Sequence, residues 1–133
     1  MRGLVGGLVL LIAGGQTTPH TARGNFMGSG RACYGMLTIT ARSIAWATPF
    51  SRCPASPYAV VDSRDDADGL RVTYRLLRPS AGCRYPVLVL THRANADVDI
   101  GWNVAGYPSL DSAKEQRHAD AMDCYLYRPS LGR

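Results

Sequence analysis

Leu70-Arg71-Val72-Thr73-Tyr74-Arg75-Leu76 alternates apolar and polar side chains without a break. On an extended chain Leu70, Val72, Tyr74 and Leu76 share one side, and Arg71, Thr73 and Arg75 share the other. That spacing predicts a strand with one face in a core and one in water. The same period runs outward in both directions. Cys33, Gly35, Leu37 and Ile39 alternate with Tyr34, Met36, Thr38 and Thr40, and Ile44 and Trp46 resume the pattern beyond a short turn at Ala41 and Arg42. The two segments read as a hairpin.

Residues 58–62 suggest a further strand, reached through a link punctuated by Pro49, Pro54 and Pro57. Residues 86–91 (PVLVLT) are apolar on both faces, as in a central strand. Val98, Ile100, Trp102 and Val104 alternate again, with residues 92–97 as the intervening loop. Residues 24–29 and 124–127 supply an opening and a closing strand. Ser112-Ala113-Lys114-Glu115 has the form of a capping box, which predicts a helix over 113–121. The fold expected is therefore all-β with one short helix. An antiparallel meander of about seven or eight strands closes into a small barrel, with a β-sandwich as the alternative. Closure removes exposed sheet edges.

The chain has 133 residues, enough for one domain. Residues 1–15 have the pattern of a secretory signal. Arg2 is the charged start, residues 4–13 are apolar, and Ala13 and Gly15 are the small residues before a cleavage site. The apolar run is about half the ~20 residues a spanning helix needs. Cleavage there leaves residues 16–24 as a flexible leader and 25–133 as a single β domain. Removal of Arg2 takes the formal charge from +5 to +4. The protein is expected to be secreted or periplasmic.

Cys33, Cys53, Cys83 and Cys124 contain no Cys-x-x-Cys pair, so two disulfides fit them better than a metal. Folding the hairpin about residues 41 and 42 sets Cys33 opposite residue 50, near Cys53. That favours Cys33–Cys53 with Cys83–Cys124 over the two other pairings.

Asp62-Ser63-Arg64-Asp65-Asp66-Ala67-Asp68-Gly69 invites a calcium reading. Aligned so that Asp66, Asp68 and Gly69 fit an EF-hand loop, Arg64 takes the first ligand position and Arg75 the last, so the loop fails as a metal site. As a solvated hairpin end, Asp65, Asp66 and Asp68 can meet a cationic partner. Arg71, Thr73 and Arg75 can meet an anionic one, with the two guanidinium-bearing residues roughly 13 Å apart along the strand. His92 is a candidate base without a nucleophile. There is no Gly-x-Ser-x-Gly elbow, the cysteines are expected to be oxidised, and Glu115 is the single glutamate.

No cofactor or metal is expected, and export with a modest positive charge argues against nucleic acid. No stable membrane insertion is expected after signal cleavage. The function these features suggest is a non-enzymatic binding module of the bacterial cell envelope or secretome, engaging a protein or an anionic surface component. A carrier with Trp46 and Trp102 lining an apolar interior, and a small secreted hydrolase, are the alternatives.

Overall fold

Tyr74 and Val72 lie at the centre of the core in the computed structural model, which describes residues 20–129. Nine strands form one antiparallel sheet: β1 Gly24–Gly28, β2 Gly35–Ile39, β3 Ile44–Thr48, β4 Ser51–Ser56, β5 Tyr58–Asp66, β6 Gly69–Leu76, β7 Val87–Arg93, β8 Trp102–Tyr107 and β9 Met122–Tyr127. Their spatial order is β4-β3-β2-β1-β9-β8-β7-β6-β5, a meander rolled into a nearly closed barrel. Phe26, Leu37, Ile44, Trp46, Val72, Tyr74, Leu90, Val104 and Leu126 fill the interior. The expected signal segment, 1–15, lies outside the described residues. Among those described, no helix is long and apolar enough to cross a membrane.

An antiparallel meander closes on itself only with an even number of strands, and here there are nine. Alternation leaves the edge strands β4 and β5 running in the same direction, joined by Pro57 alone. They are two halves of one long strand bent at that proline. The first half pairs with β3 and the second with β6. Loop 77–84 fills the resulting seam: Leu77 N–H donates to Pro57 O at 2.8 Å, Arg52 N–H to Gly82 O at 3.0 Å, and Arg84 N–H to Ser51 Oγ at 2.9 Å.

The disulfides are Cys33–Cys124 and Cys53–Cys83, not the pairing expected. The hairpin register reasoned for β2 and β3 does hold, since Leu37 opposes Trp46 and thereby sets residue 33 against 50. The chain then reverses at Pro49 and Phe50 and carries Cys53 onto β4, opposite Trp46 and a strand beyond β3. Cys53 instead reaches across the seam to Cys83, and Cys33 reaches Cys124 where β1 meets β9. Each bridge thus ties a joint that no hairpin turn makes. Two disulfides fit an oxidising compartment.

Four local expectations are revised. Residues 51–56 form β4, where the prolines suggested a link. Pro54 is accommodated at a bulge, between the pairs Ile44–Ser56 and Trp46–Cys53. Val98 and Ile100 lie exposed in a loop rather than in a strand. There the Asp97 side chain accepts from Asp99 N–H, and Gly101 at φ +78° turns the chain before β8 starts.

The helix α1, Leu110–Lys114, starts three residues early and, with a separate 3-10 turn at His118–Asp120 before β9, stops well short of residue 121. Ser109 caps it by accepting from Ser112 N–H at 3.1 Å, while Ser112 is buried inside it. Its Ala113 packs on Val87, Val89 and Tyr107 outside the barrel. The leader, finally, is not free over its described part. Ala22 is only 7% exposed, and its N–H donates to Tyr74 Oη at 3.1 Å across one barrel mouth.

Two outcomes follow from this packing. In the chain-entropy relation, loops of 91 and 30 residues correspond to about 4.6 and about 3.7 kcal/mol. Replacing both Cys33 and Cys124 by Ala is therefore expected to lower unfolding free energy by about 1 kcal/mol more than replacing Cys53 and Cys83. Urea titration measures the difference, and non-reducing peptide mapping recovers the stated pairs. Burial, opposed by the hydrogen bond with Ala22, pushes the Tyr74 phenol above its ordinary value of 10.0. The folded state therefore prefers the neutral phenol. Its contribution is complete below about pH 10 and is lost as pH rises through the folded value. Alkaline urea titrations are expected to show less loss of stability in Tyr74→Phe than in the parent. At neutral pH that variant is weaker by about 1–3 kcal/mol, because Ala22 N–H loses its acceptor.

Candidate functional site

The register of the sheet assembles one polar row on the outside of the barrel. Arg64 pairs with Arg71, Arg71 with Thr91, Thr91 with Asn103, and Asn103 with Tyr125, crossing five strands from β5 to β9. These five side chains line an open cleft of about 360 Å³ together with Asp66, Asp68 and Arg93. That volume is at the lower end of small-ligand sites. Gly69 belongs to the next row. A Cβ there would stand 2.1 Å from His92 O, so the floor beside Arg93 carries no side chain at that point.

Arg64 and Arg71 are directly opposed like charges. Cross-strand neighbours have Cβ atoms about 5 Å apart, where two cations destabilise each other. A bulge after Val60 creates the juxtaposition. It shifts the register by one residue, so that Asp62 and Arg64 join Thr73 and Arg71 on the outer face. Among the described residues the ion pair formed is Arg117–Glu115, so no carboxylate lies within ion-pair distance of either guanidinium. A second open cleft of about 410 Å³ continues on the other side of the same pair. It runs past Asp62 and Thr73 to Lys114 and Gln116 at the end of α1.

Asn103 is fixed in this row. Its Nδ2 donates to Asp123 Oδ1 at 2.6 Å, and because a carboxylate only accepts, the amide orientation is determined. Asn103 Oδ1 is left as an acceptor. Tyr125 closes the far end of the row, with 58% of its surface exposed.

Only part of the set chosen from the sequence converges here. Arg71 is central, and Asp66 and Asp68 stand at the cleft wall, where Asp66 Oδ1 also accepts from Asp68 N–H at 2.9 Å. Thr73 is buried beside α1 and borders the second cleft. Arg75 is exposed but lies in register with Val87, and it lines neither cleft. Asp65 takes the opposite face, paired with Leu70. The alternation of residues 70–76 correctly places Arg71, Thr73 and Arg75 outside, but it cannot show that α1 packs against that face. Arg64, Thr91, Asn103 and Tyr125 were missed. Only the pairing register brings them together.

His92 belongs to the scaffold of the cleft. Its Nε2 lies 3.0 Å from Asp97 O and 2.9 Å from Ile100 O, two carbonyls that only accept, so Nε2 carries the proton. The ring stacks on Trp102 with centroids 4.1 Å apart, and Trp102 Nε1 donates to Val98 O at 2.7 Å. The Arg128 guanidinium lies over the Trp102 ring at 5.4 Å and over the Phe26 ring at 5.0 Å. Together these contacts pin loop 94–101 against the cleft. Compared with protein-family models, curated proteins and solved structures, the chain matches none.

The opposed arginines have a measurable signature. Arg64→Gln removes one cation of the pair and is expected to raise stability by a few tenths of a kcal/mol, about the scale of exposed charge pairs. The gain disappears at about 1 M salt, where screening acts over ~3 Å. Thermal unfolding at low and high salt measures it.

Proposed function

We propose that this protein is an exported, non-enzymatic binding module of the bacterial cell envelope or secretome, and that it engages an anionic surface component through the outer face of β5–β9. The observation that carries this reading is the opposed pair Arg64–Arg71. Two cations at directly opposed strand positions, with no ion pair to a carboxylate among the described residues, repel each other, and an anion between them relieves that repulsion. Guanidinium groups also offer paired donors that match a carboxylate or phosphate in geometry. Secretion into an oxidising compartment accords with the two disulfides and with the apolar start of the chain.

Two further facts favour this reading over its alternatives. A carrier needs room inside the barrel, and Phe26, Trp46, Tyr74, Leu88 and Leu90 occupy that space. For a hydrolase using His92, one of its two ring nitrogens, Nε2, is already engaged by the main-chain carbonyls of Asp97 and Ile100.

The test uses the oxidised protein beginning at Gln16, titrated with the carboxylated and phosphorylated polymers extracted from a bacterial envelope. Retention is expected at about 0.05 M salt and is lost by about 1 M. Arg64→Glu with Arg71→Glu abolishes it at every salt concentration. Retention that is unchanged in the double variant would sink the reading.

A further inference from the structure

Resting on that reading, we infer that the anion bound at Arg64 and Arg71 is the acidic group of a sugar, whose ring lies across Thr91 and Asn103 against Tyr125. Three features of the cleft separate such a unit from a bare polyanion. Asp66 and Asp68 line the same cleft as the arginines. They repel a densely charged polymer, yet they accept hydrogen bonds from hydroxyl groups. Asn103, held by Asp123, presents an acceptor oxygen that a phosphate or carboxylate chain cannot satisfy and a sugar hydroxyl can.

Tyr125, more than half exposed, stands at the end of the row opposite Arg64 and Arg71. Three strand spacings of about 4.8 Å each separate Arg71 from Tyr125. That span is wide enough for one ring between a charged end and an apolar end. The site thus calls for a single negative group, several hydroxyls and a flat face of C–H bonds, arranged in that order. A uronic acid and a sugar phosphate share this chemistry.

The experiment compares four probes by calorimetry and by amide shifts of the labelled, oxidised protein. Galacturonic acid oligomers and a phosphate-bearing mannan fragment are the sugar arms; polyacrylate and polyphosphate are the sugar-free arms. One sugar arm or the other is expected to bind about tenfold more tightly per charge than its sugar-free counterpart, with shifts at Thr91, Asn103 and Tyr125. Which sugar arm prevails tells carboxylate from phosphate. Tyr125→Ala erases the preference without moving the unfolding midpoint, and Tyr125→Trp restores it.

If all four probes bind alike and Tyr125→Ala changes nothing, the sugar assignment is overturned while the anion-binding face stands. If no probe binds, or if Arg64→Glu with Arg71→Glu binds as the parent does, both fail.

Discussion

Closure of an antiparallel sheet requires parity, and this chain meets the requirement with one strand that does two jobs. Residues 51–66 run in a single direction but change partner at Pro57, so β4 completes one edge and β5 the other. The proline cannot donate to a ladder, and it sits where no ladder partner is available. Everything else in the barrel depends on this bend. The loop 77–84 and the Cys53–Cys83 bridge cover the gap it leaves, and the core is sealed only because they do.

Local periodicity carried the reading of the fold a long way. The alternation from Leu70 to Leu76, the apolar run before Thr91 and the turn at Ala41 and Arg42 all correspond to real elements, and the hairpin register is correct to the residue. What stayed hidden is non-local. β4 could not be read through Pro54 because its bulge exists only in relation to β3. The helix start moved because Ser109 and Ser112 both suit a cap, and Pro108, which ends β8, favours the earlier one. The disulfides followed the meeting of β1 and β9 and the seam, neither of which leaves a mark in sequence spacing.

The site was legible only at Arg71, Asp66 and Asp68. Its other members lie on separate strands as far apart in the chain as Arg64 and Tyr125, and register alone aligns them. The bulge at Val61 is decisive, since without it Arg64 would point into the barrel. A residue-by-residue reading sees Arg64 as one more charge in an acidic run. In the fold it becomes the cross-strand partner of Arg71. The stack of His92 on Trp102, with Arg128 over the Trp102 ring, accompanies hydrogen bonds from both side chains to the neighbouring loop, which hold that loop beside the cleft.

The Cys33–Cys124 bridge encloses β2 through β8 in one covalent ring. A protease that cuts any loop between those cysteines opens the ring but releases no fragment, and the nicked chain keeps its strands tethered to the remaining sheet. Where proteases are abundant, such a molecule can be clipped at a surface turn and still hold its shape, with the damage visible only after its sulfurs are reduced.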